Sequence, residues 1–187
     1  GGGRSEFHGK GRGRSGAARE QDRYRPLGRP EVLKVLQSQD MLPAITFIFS
    51  RAGCDGALYQ CLRSRMVLTS QEEAQQIKDI VDAGVEGIPE EDLQVLDFKR
   101  WREALSRGFA AHHAGMLPAF RHIVEDLFVR GLVRAVFATE TLALGINMPA
   151  RTVVLEKLIK FNGEAHVDLT PGQYTQLTGR AGRRGID

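Results

Sequence analysis

Residues 44–49, Ala-Ile-Thr-Phe-Ile-Phe, form the segment that most constrains the fold, because it is apolar on both faces of an extended chain. A strand of this kind must be covered above and below, as in a parallel sheet with helices on both faces. Ser50 ends the strand and can cap a helix over residues 53–62. Ligands of open parallel sheets bind beyond the carboxyl ends of the strands, which is where Ser50 and Arg51 follow.

Three further strands are predicted at residues 109–112, 133–138 and 152–155. Helices are predicted between them, and right-handed crossovers then give a doubly wound, mostly parallel α/β sheet with helices on both faces. The loops at the carboxyl ends hold polar or glycine positions that converge on one edge of the sheet: Ser50, His113, Thr139 and residues 145–147.

Residues 64–107 are predicted to be helical with breaks, as an insertion between the first two strands. Ser70 and Glu73 form a capping box, Gly84 stops that helix, and Asp97 caps a later one. The pattern indicates packing and no chemistry.

Two other helices are predicted, one over residues 30–37 that packs Val32, Leu33, Val35 and Leu36, and one over residues 118–129 with an Arg121–Glu125 pair.

Residues 1–29 are rich in glycine and arginine, and residues 1–30 carry a net charge of +5 although the whole 187-residue chain carries +3. Such a segment buries too little apolar surface to offset its ordering entropy, so we predict a disordered linker. We favour a spacer over a nucleic-acid-binding segment. The remaining residues suit one domain. The start at Gly1 suggests a piece of a longer protein, without a signal-peptide pattern.

Cys54 and Cys61 are the only cysteines. Seven residues apart on one predicted helix, they are separated by roughly 10 Å of helix rise, too far for a disulfide. The histidines and cysteines show no zinc-ligand spacing. We therefore expect a reducing, cytoplasmic setting, no structural metal and, since no apolar run spans a bilayer, no membrane partner.

The sequence at residues 170–173, Thr-Pro-Gly-Gln, predicts a helix start in which Thr170 caps and Pro171 occupies the first turn. On that helix Gln176, Arg180, Arg183 and Arg184 share one stripe. Such a stripe is either a solvated basic face or a set of guanidinium groups that bind phosphates bidentately.

Four segments resemble motifs of superfamily-two helicases, in the right order and at plausible spacings. The chain resembles the Ski-type DExH-box branch, and among its members the bacterial HelY type, over residues 44–187. The segments are residues 47–51 (motif IV), 112–116 (the HHAG segment), 138–149 (motif V) and 176–185 (motif VI, QxxGRAGRxG).

The resemblance implies a second RecA-like domain that completes an ATP site held by a first one. Arg180 and Arg183 match the motif VI arginines, with Arg183 the better candidate for an arginine finger, and Gln176 matches the opening residue of that motif. Gly145 and Asn147 match motif V positions near the nucleotide. The family often has Asp where Asn147 stands, which weakens its match to a ribose contact.

For nucleic-acid binding, the resemblance implies that Thr139 contacts the strand backbone, with Ser50, Arg51 and His113 nearby in a similar role. His113 is equally well explained as a residue that satisfies its own turn. Arg184 extends the motif without an assigned role. The partner is a single strand, and the resemblance favours RNA over DNA, although backbone contacts carry no base code.

Neither a G-x-x-x-x-G-K-[ST] loop nor an acidic DExH box occurs in the chain. ATP with Mg²⁺ is therefore expected to be held mainly by the first RecA-like domain of the same protein, and this fragment alone is expected to be inactive. A non-catalytic nucleic-acid-binding adaptor is the alternative, and the arginine pair favours the helicase. A dinucleotide-dependent enzyme is weakly supported, since no G-x-G-x-x-G follows the first strand.

Overall fold

The computed structural model of the chain describes residues 28–139, 150–161 and 164–171. Most of the predicted linker and the whole of the predicted motif VI helix beyond Pro171 lie outside these residues. Within them, no helix is both long enough and apolar enough to cross a membrane.

Five strands form one sheet in the order β2-β3-β1-β4-β5, and the first four are parallel. The fifth strand runs antiparallel to the fourth. The fold is thus the predicted α/β, RecA-like architecture. The strands are β1 (Ala44–Phe47), β2 (Phe109–His112), β3 (Ala135–Ala138), β4 (Thr152–Phe161) and β5 (Glu164–Pro171).

Six helices surround the sheet within the described residues. The chain moves from β1 to one edge at β2 and then back to β3, so right-handed crossovers put α2 on one face and α6 on the other. The helices are α1 (Arg29–Ser38), α2 (Arg51–Arg63), α3 (Gln71–Gly84), α4 (Glu90–Val95), α5 (Phe98–Ser106) and α6 (Pro118–Val129).

Two predicted helix caps are confirmed. The Ser50 hydroxyl accepts a hydrogen bond from the Gly53 N–H at 2.9 Å, which fixes the first turn of α2 directly after β1. Ser70 and Glu73 form the reciprocal capping box at the start of α3. In both cases a side chain satisfies backbone donors that the first helical turn leaves without partners.

Other local predictions were right only in part. Asp97 occupies the predicted N-cap position of α5, but its side chain makes no capping hydrogen bond: the residue lies in the left-handed region with φ of 56°, and its carboxylate pairs with Arg100 at 3.4 Å. Val35 is 46% exposed on α1 and does not pack. The predicted end of α3 was right, since Gly84 is its last residue and Val85 its C-cap.

The predicted Arg121–Glu125 pair is also absent. Glu125 instead contacts two histidines, His112 at 2.8 Å and His122 at 3.4 Å. The buried Nε of Arg121 has no partner among the described residues. The i, i+4 spacing brought the two residues onto one face of α6, but the neighbouring strand supplied a better partner for the carboxylate.

The β4–β5 hairpin extends well beyond the predicted fourth strand. Val154 is paired with Pro171 at one end of the hairpin, and Phe161 with Glu164 at the other. Thr170 and Pro171 therefore end a strand, so Pro171 is not the first residue of a helix.

The core lies between the sheet and its helices. The large side chains that are fully buried come from both faces and include Trp101 on α5 and Phe120 on α6. Their rings meet edge to face with centroids 5.2 Å apart, which joins α5 to α6 beside the edge strand β2. Cys54 and Cys61 are free thiols in this core, and burial raises the pKa of each to about 12.

Candidate nucleic-acid interface

The register of the parallel strands brings the predicted polar residues to one edge of the sheet, here called the carboxyl edge. Phe47, His112 and Ala138 lie side by side on β1, β2 and β3. Ile48 N–H then donates to the Ala138 carbonyl at 2.8 Å and extends the pairing by one residue. His113 and Thr139 follow directly after β2 and β3, and Ser50 and Arg51 follow the end of β1 by three and four residues.

Ser50 and Arg51 begin α2 in exposed positions. The Ser50 oxygen is used as the helix cap, and its hydroxyl proton can still be donated to an acceptor in solution. Arg51 makes no ion pair within the described residues. Because α2 starts here, the positive end of the helix and an uncommitted guanidinium face outward together, an arrangement that suits a phosphate group.

The His113 side chain is 7% exposed, and both of its ring nitrogens are used within the chain. Nδ1 accepts a hydrogen bond from the Gly115 N–H at 3.1 Å, and Nε2 lies 3.0 Å from the Asp55 carboxylate. The ring therefore ties the loop after β2 to the first turns of α2. A Cβ at Gly115 would lie 3.2 Å from Cδ of Arg51, so this loop also passes close beneath the Arg51 side chain.

His112 faces away from the carboxyl edge and is buried against α6. Burial lowers its pKa, although the Glu125 carboxylate at 2.8 Å acts in the opposite direction. Its Nδ1 is buried without a partner among the described residues, so a second ring proton would have no acceptor. We conclude that His112 is a neutral structural residue.

Thr139 follows β3 and is half-buried at the carboxyl edge. The structure thus brings together the four residues predicted to contact nucleic acid. Their side chains differ in exposure, since Arg51 is open to solvent and His113 is buried. Their roles remain predictions. The five residues predicted to serve ATP lie outside the described residues: Gly145, Asn147, Gln176, Arg180 and Arg183.

The described residues hold no cluster of histidine, cysteine or carboxylate side chains that could bind a metal ion. The His113 nitrogens face Asp55 and Gly115, so this histidine is not placed to activate a hydroxyl nucleophile. Among the described residues, the carboxyl edge offers hydrogen-bond donors and the Arg51 guanidinium, which can bind an anionic backbone.

Asp55 supports this arrangement and was not singled out from the sequence, whereas Gly115 belongs to the HHAG segment. Asp55 lies 58 positions from His113, its partner in the loop after β2. Only the fold brings these two residues together, and no local pattern marks Asp55.

Comparison with known proteins gives a consistent result. The sequence family described as "Helicase conserved C-terminal domain" matches residues 90–185. The protein named "Probable helicase HelY" of Mycobacterium tuberculosis is 68% identical over 164 residues, covering 88% of this chain and 18% of the relative.

More distant relatives match nearly the same part of the chain. "Antiviral helicase SKI2" of Saccharomyces cerevisiae is 36% identical over 158 residues, covering 84% of this chain and 12% of the relative. "DExH-box ATP-dependent RNA helicase DExH15 chloroplastic" of Arabidopsis thaliana is 47% identical over 156 residues, covering 81% and 12%. The chain thus spans less than a fifth of the length of these relatives.

Proposed function

Because the chain belongs to the helicase conserved C-terminal domain family, which confirms the resemblance seen in its motifs, we propose that it is the second RecA-like half of an ATP-dependent nucleic-acid helicase. In this proposal the first RecA-like domain of the same protein holds ATP with Mg²⁺. Neither domain hydrolyses ATP alone, because each contributes only part of the site.

The observation that carries the proposal is the carboxyl edge. Three parallel strands end in register, and the residues that follow them present the start of α2, the Ser50 hydroxyl and the Arg51 guanidinium to solvent. These groups suit the phosphates of a single strand, which any base sequence provides. Contacts of this kind let a strand slide, as unwinding requires.

Arg183, and Arg180 beside it, would complete the ATP site from this side. ATP supplies the phosphoryl group that passes to water, and the transition state spreads negative charge over its oxygens. A guanidinium delivered across the domain interface stabilises that charge only while the domains are closed. Gly145, Asn147 and Gln176 would lie against the nucleotide and couple closure to its presence.

RNA is the proposed strand. The support is that the relative DExH15 is named an RNA helicase, and that the same stretch of the chain matches it. The contacts proposed at the carboxyl edge are to the nucleic-acid backbone and serve RNA and DNA equally.

Replacing Arg183 with alanine in the full-length protein tests the proposal. We expect nucleic-acid-stimulated ATP turnover to fall by about 10³-fold or more, because the arginine acts on the transition state. The KM for ATP should change much less. Steady-state ATPase measurements with saturating single-stranded RNA provide both values.

Arg63→Ala is the matched control, since Arg63 is an exposed arginine at the far end of α2 and its loss changes the net charge equally. Its turnover should match that of the unaltered protein. A fall of less than about tenfold for Arg183→Ala would remove the arginine-finger assignment.

A further inference from the structure

A groove of about 560 Å³ opens beside His113, where three parts of the fold meet. The first turns of α2 form one wall with Asp55 and Tyr59, and the segment from α4 to α5 forms another. The loop after β2 and the start of α6 close the third side.

The lining combines an apolar surface with an acidic rim. Val95 is 90% exposed and Leu117 is 46% exposed, both unusually open for their type. In the described part of the chain, the charged residues that line the groove are Asp55, Asp92 and Asp97, and neither lysine nor arginine is among them. Phosphates would be repelled from such a rim, so a nucleic-acid strand is a poor occupant and a basic peptide is a good one.

One internal contact shows how this rim receives a guanidinium. Arg100 lies over the Tyr59 ring, 4.2 Å from its centroid, and pairs with Asp97. The Asp55 carboxylate bonds to His113, and the Asp55 side chain remains 51% exposed. Asp92 makes no ion pair within the described part of the chain. The rim therefore has carboxylate capacity left for further arginines.

The chain carries a matching segment just before α1. Residues 1–27 contain six arginines and one lysine against three acidic residues, a net charge of +4. Their sequence includes Arg23-Tyr24-Arg25-Pro26, which alternates cations with an aromatic ring and a ring that favours extended backbone. Both side-chain types suit the lining: cations for the rim and an aromatic ring for the apolar surface.

The end of this segment is fixed within reach of the groove. Arg29, at the start of α1, donates to Gln60 on α2 at 2.9 Å, next to Tyr59 in the sequence. Arg29 also binds Glu156 on β4. Three strand spacings, or about 14 Å, separate β4 from the edge strand β2, which leads into the groove. A dozen extended residues span about 40 Å, so residues 1–27 are long enough.

We propose that this groove is a docking site for the arginine-rich segment 1–27 of the same chain, held extended with arginines on the Asp92–Asp97 rim. The tether raises the local concentration of the segment, so weak contacts suffice. The groove shares His113 with the carboxyl edge, but the docking proposal does not depend on the helicase role proposed above. An arginine of the segment that bound Asp55 would share the carboxylate that already bonds to His113.

Photo-crosslinking in the full-length protein tests the proposal. A p-benzoylphenylalanine in place of Val95 places the reactive group in the groove, at an exposed site where we expect folding to be unaffected. The same group in place of Val129, which is 59% exposed at the end of α6, is the control. We expect the Val95 probe, and not the Val129 probe, to join residues 1–27 within one molecule, as mapped by mass spectrometry.

A charge change then identifies the rim. The double variant Asp92→Lys, Asp97→Asn reverses the charge at position 92 and removes it at position 97, where asparagine tolerates the left-handed backbone. We expect the crosslink yield to fall about tenfold or more. The pair Asp79→Lys with Asp126→Asn makes the same charge change elsewhere and should leave the yield intact. Absence of the crosslink, equal crosslinking from Val129, joining to a second molecule, or indifference to the rim variant would each overturn the proposal.

Discussion

At the carboxyl edge, the hydrogen-bonding state of each side chain decides what it can contribute to strand binding. Arg51 is exposed and makes no ion pair within the described residues, so binding a phosphate costs it no existing partner. His113 would have to break a bond to Asp55 or to Gly115 before it could contact a strand. We therefore expect His113 to act by holding the loop in place.

Ser50 caps α2 and is also proposed to contact a phosphate, and one substitution distinguishes these two roles. Ser50→Asp keeps an N-cap acceptor of similar strength and adds a negative charge at the start of α2. We expect the free energy of unfolding to be unchanged or slightly higher, while affinity for single-stranded RNA falls because the carboxylate repels phosphate. Urea unfolding and fluorescence anisotropy measure the two effects.

Ser50→Ala provides the complementary test. It removes the acceptor for the Gly53 N–H and should lower stability by about 1 kcal/mol without introducing repulsion. Its loss of RNA affinity should be the smaller of the two. Equal RNA affinity for the aspartate variant and the unaltered protein would show that Ser50 lies away from the strand.

At the scale of the element, α2 contains two glycines in opposite situations. A Cβ at Gly53 would lie 2.7 Å from Cγ2 of Ile48 and from the Ser50 hydroxyl oxygen, whereas a Cβ at Gly56 would meet nothing within 4 Å. Gly56→Ala should therefore raise the free energy of unfolding by up to about 1 kcal/mol, since alanine is the better helix former. Gly53→Ala should lower it, because Ile48 and the cap must move.

Both variants are checked by urea unfolding of the same chain. The two substitutions are chemically identical and three residues apart, so propensity alone predicts the same sign for both. Stabilisation by both variants would mean that α2 does not approach Ile48 as closely as the structure shows.

Elements with a local cause were predictable from the sequence. The caps at Ser50 and Ser70 depend on side chains three residues or fewer from their partners, and the buried strands β1 and β2 are short apolar runs. The β4–β5 hairpin was missed because its strands mix charged and apolar residues. The connecting residues, Asn162 and Gly163, are the pair that most favours a two-residue hairpin loop and could have revealed it.

The positions of the residues at the carboxyl edge were predictable as well. The strand ends placed Ser50, Arg51, His113 and Thr139 at one edge from the sequence alone. The environment of each side chain was not predictable, because it depends on partners distant in sequence. His113 meets Asp55 across 58 positions, and Glu125 meets the buried His112 in preference to Arg121.

At the scale of the whole molecule, Arg29 connects three elements that are far apart in the chain. Its guanidinium binds Glu156 on β4 through two bonds, one of them 2.9 Å long, and Gln60 on α2. The hydrogen bond to Glu156 raises the pKa of Arg29, and Glu156 is only 3% exposed. The start of α1 is thereby fixed to α2 and to the middle of β4.

Removing one partner of this pair should cost more than removing both. Arg29→Met leaves a buried carboxylate without its cation, and we expect a loss of about 3 kcal/mol in the free energy of unfolding. Combining it with Glu156→Leu replaces the pair by apolar side chains and should restore most of that loss, because the desolvation penalty disappears with the charge. Urea unfolding of the single and double variants at neutral pH measures both. If the double variant is instead as unstable as Arg29→Met alone, the guanidinium stabilises the fold mainly through Gln60 and its packing, and the ion pair is not what joins α1 to the sheet.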